Sequence, residues 1–489
     1  MEKTKINLVP DTKNPSPDYY CTWQTQLYAT SDGKPKAQRA IIGEKSLFED
    51  KKPFGWAYFY EKAREDLFLV MDDSWDVPLS GDPSFYGSLL LSKEKFPEDF
   101  LEADGNVQAM KHLVSRIREI GWKGLGGWIH AGASQTFQKN LSEEEYWKTR
   151  LREADESGLS YWKVDWGPRA GNALFRKMLT LLGKELAPTL TIEHAVTKEA
   201  IAFSDVYRTY DVPALMSIPI TMEKLASFSD IPRENFHALL NCEDEVYMAA
   251  AGGFVMGVMR HPYAGGFMDG KADPSFPSVH RNLKTKMFEV VRAVKWHRIA
   301  PAFCGDVEVS KNFLEDSWHF LHPHEEMEAW WFDMPMIKDH MQNGVLTKSA
   351  PSAIARNCDL PYVFADEKGM VPYVVVAKNP NGVFSVATLG RTRERSYQIP
   401  HCDISIYIGN AETVGVFGEY RTLVLQTDRE RCPRVLMQDL ASDYAYDVTA
   451  RVSFAHGFLT VSGDLISQIG KSAQPASDTS EPGVVIVLH

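Results

Sequence analysis

The stretch that decides the fold spans residues 142–166 and reads SEEEYWKTRLREADESGLSYWKVDW. It opens with a capping box, in which the Ser142 hydroxyl accepts a hydrogen bond from the amide of Glu145 and the Glu145 carboxylate reaches back. The helix that this box starts is expected to end at Gly158, which suits a C-cap. A short apolar run, Tyr161–Val164, follows directly. A capped helix that leads straight into an apolar strand indicates one repeat of an alternating α/β fold.

Apolar runs of this kind recur along residues 51–300, separated by stretches of helical periodicity. Each run is apolar throughout rather than alternating, as expected for a parallel strand that is buried on both faces. The eight predicted strands are Phe54–Tyr60, Leu67–Met71, Leu125–Ile129, Tyr161–Val164, Thr189–Ile192, Val206–Tyr210, Ala238–Leu240 and Phe254–Met259. Eight strands with intervening helices in about 250 residues predict a (β/α)8 barrel.

The rest of the chain divides by its pattern. Residues 1–50 are rich in proline and poorly periodic, so we expect an extended segment packed on the barrel at 51–305. Residues 306–345 are expected to be a connecting segment. From 346 to 489 the apolar runs alternate and are β-branched, and residues 378–382 are expected to form a hairpin turn. This pattern predicts an antiparallel β-sandwich domain.

Composition excludes several classes of function. The 489 residues carry a formal net charge of −12, which argues against a nucleic-acid or anionic-membrane partner. We find no 18-residue apolar run, so no membrane span is expected. The six cysteines form no C-x-x-C pair, and no G-x-G-x-x-G motif follows a strand. The histidine-rich 322–326 lacks a third metal ligand at a recognised spacing, so we expect neither a metal nor a cofactor.

Compartment and assembly are less constrained. The N-terminal residues 1–7 lack an apolar core, so no signal peptide is visible in this chain. The protein is periplasmic or secreted if a signal was removed, and cytoplasmic otherwise. A homo-oligomer is compatible with the sequence, which does not decide the oligomeric state.

Acidic residues cluster where the predicted strands end. Active sites of such barrels form at the carboxyl ends of the strands. The carboxylates that follow the runs there are Asp72, Asp73, Asp165, Glu193 and Asp211. Tryptophans lie among them, and sugars offer hydroxyls to carboxylates and an apolar C–H face to an indole ring. Since glycosidic hydrolysis uses two carboxyl groups, this pattern favours an enzyme acting on carbohydrate.

Five segments resemble one family in order and approximate spacing. Trp-Lys-Val-Asp-Trp at 162–166 resembles the nucleophile strand of the α-galactosidase-like glycoside hydrolases, families 27 and 36 of clan D. Leu-Val-Met-Asp-Asp-Ser-Trp at 69–75 and Phe-Gly-Trp at 54–56 resemble segments of the second and first strands. The glycine-rich 120–128 resembles the approach to the third strand, and Tyr-Arg-Thr-Tyr-Asp at 207–211 resembles the acid/base segment on the sixth.

The resemblance implies a retaining, exo-acting α-glycosidase with a barrel and a C-terminal β-domain. Asp165 would be the nucleophile and Asp211 the acid/base. The residues that it places around the sugar are Trp56, Asp72, Asp73, Lys163, Glu193, Arg208 and Trp166. The expected ligand is an oligosaccharide or glycoside.

Two other functions remain open on the residues alone. Because side chains alternate along a strand, Lys163 and Asp165 lie on the same side of theirs, and the Lys163 ammonium can keep the Asp165 carboxylate ionised. The short spacing from Arg208 to Asp211, however, is also compatible with a carbohydrate-binding protein that has lost its acid. A metal-dependent barrel enzyme built on the histidines and aspartates is the third hypothesis.

Overall fold

Eight parallel strands close into a barrel in the order in which they occur along the chain. In the computed structural model, the residues described are 4, 6–30, 35–209, 216–259, 286–322 and 335–489. The barrel strands are β1 (Tyr19–Cys21), β2 (Phe68–Met71), β3 (Gly124–Ile129), β4 (Tyr161–Val164), β5 (Thr191–His194), β6 (Val206–Arg208), β7 (Leu239–Glu243) and β8 (Val255–Val258). The predicted (β/α)8 barrel is therefore confirmed, and seven of its strands overlap the predicted runs.

The first strand is the exception. The run at 54–60 was predicted as a strand, but the chain has only a single 3-10 turn there, Trp56–Tyr58. Gly55, with φ of +81°, turns the chain just before it, so the apolar residues pack as a loop. The strand that closes the barrel is β1, which pairs with both β2 and β8. The segment 1–50, expected to be an extended lead-in, therefore contributes a barrel strand.

Helices connect the strands. Three short ones follow β1, namely α1 (Trp23–Ala29), α2 (Pro35–Ile41) and α3 (Glu44–Phe48). The others of the barrel region are α4 (Asn106–Glu119), α5 (Gln135–Gln138), α6 (Glu143–Ser157), α7 (Ala173–Leu186), α8 (Ser217–Ala226), α9 (Val246–Gly252) and α10 (Met287–Ile299). The capping box at Ser142 is confirmed, since its hydroxyl accepts from the Glu145 amide at 3.2 Å. The same helix ends at Gly158, with φ of +77°.

Aromatic rings fill the barrel interior below the charged end. The rings of Tyr19 and Phe68 lie 5.0 and 5.8 Å from the ring of Tyr161. Strand β3 makes room for Tyr161 because a Cβ atom at Gly126 would lie 2.6 Å from the Tyr161 Cβ. The interior is thus closed below, and the polar side chains gather at the carboxyl ends of the strands.

The C-terminal region consists of β-sheets. Its strands are β9 (Glu308–Val309), β10 (Phe313–His319), β11 (Met341–Gln342), β12 (Val345–Pro351), β13 (Ala353–Arg356), β14 (Tyr362–Phe364), β15 (Tyr373–Lys378), β16 (Phe384–Leu389), β17 (Arg391–Arg393), β18 (Ser396–Gln398), β19 (Asp403–Gly409), β20 (Thr413–Phe417), β21 (Thr422–Thr427), β22 (Val435–Asp439), β23 (Tyr446–Asp447), β24 (Ser453–Ala455), β25 (Phe458–Ser462) and β26 (Gly483–Leu488). Two short helices accompany them, α11 (Pro335–Lys338) and α12 (Gly463–Gly470).

An eight-stranded and a five-stranded sheet enclose one aliphatic core, which confirms the predicted β-sandwich. Most neighbouring strands are antiparallel, although β13–β15, β16–β20 and β19–β21 are parallel. The turn at 378–382 joins β15 to β16 as predicted. The buried Arg356 ties this domain to the barrel, because it donates to the carbonyls of Gly252 and Gly253. Within the described residues, no helix is both long and apolar enough to cross a membrane.

Candidate active site

One buried arginine holds three carboxylates together at the carboxyl end of the barrel. The guanidinium of Arg208, on β6, is fully buried. Its nitrogens lie 3.1 Å from Asp165 Oδ1, 3.1 Å from Glu193 Oε1 and 3.5 Å from Glu243 Oε2. Asp165 directly follows β4, and Glu193 and Glu243 lie in β5 and β7, so the Arg208 side chain links four strands across the barrel interior.

Asp165 stands at the top of this cluster, directly after β4. Its Oδ1 faces Arg208, and its Oδ2 accepts a hydrogen bond from the indole of Trp128 at 2.9 Å. Burial raises the pKa of Asp165, but the charges of Arg208 and Lys163 and the Trp128 bond outweigh that effect, so the pKa lies below its usual value. The carboxylate is therefore ionised at neutral pH and fixed in orientation.

Lys163 and Asp72 form the second charged contact. Their Nζ and Oδ2 atoms lie 2.8 Å apart, and both side chains are almost completely buried. The thiol of Cys21 also donates to Asp72 Oδ2, and the amide of Asp73 donates to its other oxygen. Burial lowers the pKa of Lys163, but Asp72 more than compensates, so the pKa is well above the ordinary value. Lys163 lies on the same side of β4 as Asp165, as alternation predicted.

Asp73 faces a different group of side chains. Its Oδ2 lies 2.8 Å from Arg39 Nε, and its Oδ1 accepts from the Ser74 hydroxyl. Burial raises the pKa of Asp73 to about 6, with a further contribution from Asp72, although Arg39 and Ser74 oppose the shift. This carboxyl group therefore titrates in the range where many enzymes work.

Aromatic rings line the wall between these acids. Trp166 follows Asp165 and is 38 % exposed, with its ring 5.6 Å from those of Trp128 and Tyr86. The guanidinium of Arg39 lies 5.5 Å from the Trp166 ring. An exposed indole beside an ionised carboxylate is a surface on which the apolar face of a sugar can stack.

Two predicted site residues lie away from the mouth. Glu193 is fully buried, where it accepts hydrogen bonds from Tyr161 and Asn241. It therefore lies below Arg208 rather than at the rim. Trp56 is also fully buried, in the 3-10 turn that packs on α3, and its indole donates to the carbonyl of Pro53. The structure does not bring Trp56 to the charged cluster.

Asp211, the predicted acid/base, lies outside the described residues. The sequence indicates no site role for Trp128, Cys21 or Tyr86, and it offers Glu243 only as a reserve for Asp211 as the acid/base. In the part of the chain that the structure describes, no three histidine, cysteine or acidic side chains are grouped so as to hold a metal ion.

Comparisons with known proteins find similar solved structures but no related sequence. No protein-family model matches the chain, and no curated protein sequence matches it. A GH27 β-L-arabinopyranosidase from Geobacillus stearothermophilus, solved with arabinose, aligns over 97 % of both chains with 8 % identity and a TM-score of 0.43.

Two further solved structures align along nearly the whole chain. A candidate α-N-acetylgalactosaminidase from Bacillus halodurans covers 99 % of both chains with 8 % identity and a TM-score of 0.42. A candidate α-galactosidase from Bacteroides fragilis covers 97 % of this chain and 79 % of its own, with 9 % identity and a TM-score of 0.42. At such scores the function has to be judged from the geometry of the site.

Proposed function

We propose that the protein is a retaining, exo-acting α-glycosidase of the α-galactosidase type. The observation that carries the proposal is the ionised carboxylate of Asp165 at the barrel mouth. The Arg208 guanidinium lies beside its Oδ1, and the Trp128 indole donates a hydrogen bond to its Oδ2. A group of this kind can attack an anomeric carbon, because it is charged, oriented and shielded from most of the solvent. Asp211 is assigned as the acid/base on the family resemblance.

The reaction would proceed in two displacements. The Asp165 carboxylate bonds to the anomeric carbon while Asp211 gives its proton to the leaving oxygen, which leaves a glycosyl ester on the enzyme. Asp211 then removes a proton from water, the water oxygen bonds to the anomeric carbon, and Asp165 departs as the carboxylate. Two inversions give net retention. The low pKa of Asp165 suits both attack and departure.

The neighbouring side chains supply the contacts for a sugar. Asp72 and Lys163 form a paired acceptor and donor beside Asp165, which suits adjacent hydroxyls. Asp73 offers a second carboxyl group, and Trp166 an exposed ring. Glu193 is assigned an indirect role, since it holds Arg208 and reaches no open space. Trp56, being enclosed elsewhere, is left without a role in the proposal.

A screen of nitrophenyl glycosides tests the proposal. We expect turnover of the α-galactoside or of a related α-glycoside, with retention of the anomer by NMR. Asp165→Asn should lower kcat by roughly 10⁴-fold or more, the scale on which nucleophiles are lost. Asp155→Asn, at an exposed position of α6, is the matched control and should keep full activity.

Other outcomes separate the alternative functions. An inverted product, or an active Asp165→Asn variant that is folded by circular dichroism, would contradict the mechanism. Tight binding of a sugar without turnover of any substrate would favour a carbohydrate-binding protein. Loss of activity after chelation would favour a metal-dependent enzyme.

A further inference from the structure

A cavity of about 420 Å³ opens beside the aromatic wall of the barrel mouth. The loop after β2 forms one side of it, and the polar groups on the other side come from the N-terminal helices and from the segment before α4. The lining residues that matter here are Arg39, Ser74, Pro78, Leu79, Tyr86 and Lys95. The volume is in the range of sites that take a small molecule.

The lining is positively charged. Arg39 and Lys95 both face the cavity and no carboxylate lines it, although the protein carries a net charge of −12. Carboxylates lie behind the lining, where Asp73 pairs with Arg39 and Glu94 accepts from the Leu79 amide, but the charged groups that face the cavity are these two cations. The charge of the lining therefore favours an anionic ligand.

Lys95 is a buried ammonium whose direct hydrogen-bond partners are neutral carbonyls. The residue is 6 % exposed, and its Nζ donates to two carbonyls, those of Ser74 at 2.6 Å and Arg39 at 3.1 Å. Among the described residues, no carboxylate lies within ion-pair distance of it and no third acceptor meets its remaining N–H. Burial lowers its pKa to about 8, although the charges of Asp76, Asp73 and Glu94 oppose the shift from beyond ion-pair distance. A bound anion would supply an acceptor for the remaining N–H and a negative charge in direct contact.

Arg39 offers two further donors. Its Nε is committed to Asp73, but within the described part of the chain its terminal nitrogens make no hydrogen bond. The guanidinium lies beside the rings of Tyr86 and Trp166, at 5.7 and 5.5 Å, which restricts its movement. A planar, oriented guanidinium is well suited to the oxygens of a carboxylate, sulfate or phosphate.

The cavity adjoins the proposed reaction site. The Tyr86 ring, which lines the cavity, packs against Trp166 and lies 6.2 Å from the ring of Trp128. Trp128 in turn donates to Asp165. The rings of Tyr86, Trp166 and Trp128 thus form one layer between the cavity and the Asp165 carboxylate, and Trp166 is partly exposed at its edge.

We propose that this cavity is the subsite for the leaving-group part of the substrate, and that it selects a leaving group bearing an anionic substituent. The assignment as a leaving-group subsite rests on the proposed function, because it assumes that a glycosidic bond is cleaved at Asp165. The binding of an anion rests only on the side chains that line the cavity. The sugar at Asp165 is neutral, and the unit beyond it carries a carboxylate, sulfate or phosphate that Arg39 and Lys95 bind.

A catalytic comparison tests the selectivity. The substrates are a matched pair of aryl α-glycosides, one with an anionic 4-carboxyphenyl leaving group and one with a neutral 4-carbamoylphenyl leaving group. The measured quantity is kcat/KM for the anionic substrate divided by kcat/KM for the neutral one, because this ratio cancels general losses of activity. We expect the ratio to fall at least tenfold in Lys95→Gln and to survive in Lys95→Arg, which keeps the charge. Lys93→Gln, two residues away and exposed, should leave the ratio unchanged. An equal ratio in wild type and Lys95→Gln would overturn the proposal.

A binding measurement keeps the cavity testable if no glycoside is hydrolysed. Calorimetric titration at pH 7 with inorganic sulfate, inorganic phosphate and D-glucuronate, against neutral D-glucose, should show binding of at least one anion that weakens as salt rises. Binding should be lost in Lys95→Gln and kept in Lys93→Gln. The anion that binds most tightly identifies the substituent. Anion binding without hydrolysis of any glycoside would contradict the proposed glycosidase activity but not the anion site. Anions that bind no more tightly than glucose would contradict the anion subsite.

Discussion

The buried carboxyl group of Asp73 allows a quantitative test of the charge arrangement at the barrel mouth, because burial disfavours its ionised form. The side chain is almost fully buried, and its pKa of about 6 lies above the ordinary value of 3.8 for an aspartate. At 1.36 kcal/mol per pKa unit, the folded protein disfavours the ionised form by about 3 kcal/mol. We therefore expect Asp73→Asn to stabilise the barrel at neutral pH.

The sign follows from linkage. Since the pKa in the folded state is raised, stability associated with Asp73 is present at low pH and is lost as the pH rises from about 4 through 6. The free energy of unfolding of Asp73→Asn, relative to wild type, should accordingly increase by about 2 kcal/mol between pH 4 and pH 7. Urea unfolding followed by tryptophan fluorescence measures this difference at each pH.

The control is Asp82→Asn on the same loop. Asp82 is exposed and its pKa is lowered by the amide and hydroxyl of Ser84, so its variant should not gain stability as the pH rises. If the free energies of unfolding of Asp73→Asn and wild type differ by the same amount at every pH, the reasoning is refuted. It is also refuted if the variant is less stable than wild type at pH 7. A gain would show that this carboxylate is kept for function at the expense of stability.

Three further predictions concern the same end of the barrel. Trp128→Phe removes the donor to Asp165, so kcat should fall tenfold to about a hundredfold and the acidic limb of the pH profile of kcat/KM should move to higher pH. Lys163→Met leaves Asp72 as a buried charge without its partner and should lower the free energy of unfolding by about 3–5 kcal/mol, whereas adding Asp72→Asn should restore part of it; equal values for the single and double variants would contradict the pair. Gly126→Ala places a methyl group against Tyr161 and should destabilise the barrel by about 1–3 kcal/mol in urea unfolding, and an unchanged midpoint would contradict the packing.

The sequence predicts strands well where a run is long enough to carry a pattern. The run Tyr161–Val164 coincides with β4, and the helix before it begins and ends at the predicted caps. Strand β1 has only three residues, Tyr19–Cys21, so its apolar character does not distinguish it from a loop. The longer apolar run at 54–60 is predicted as the first strand instead, although Gly55 turns the chain there.

Site residues were predicted less well because their depth depends on where each strand ends. Strand β5 was expected to stop at Ile192 but extends to His194, so Glu193 lies inside the barrel rather than at its rim. The role of Trp128 depends on register, since it lies beside Lys163 across β3 and β4. Pairing register is set by tertiary packing, and a single sequence does not encode it in any local pattern.

The central claim is that Asp165 bonds to the anomeric carbon, and chemical rescue tests it most directly. Asp165→Gly removes the carboxylate and opens space for a small anion beside Trp128 and Arg208. With azide present and an activated aryl α-glycoside as substrate, we predict restored turnover and a β-glycosyl azide product, identified by NMR. Full activity of Asp165→Gly without azide, or a failure of azide to restore any turnover to the folded variant, would contradict the assignment.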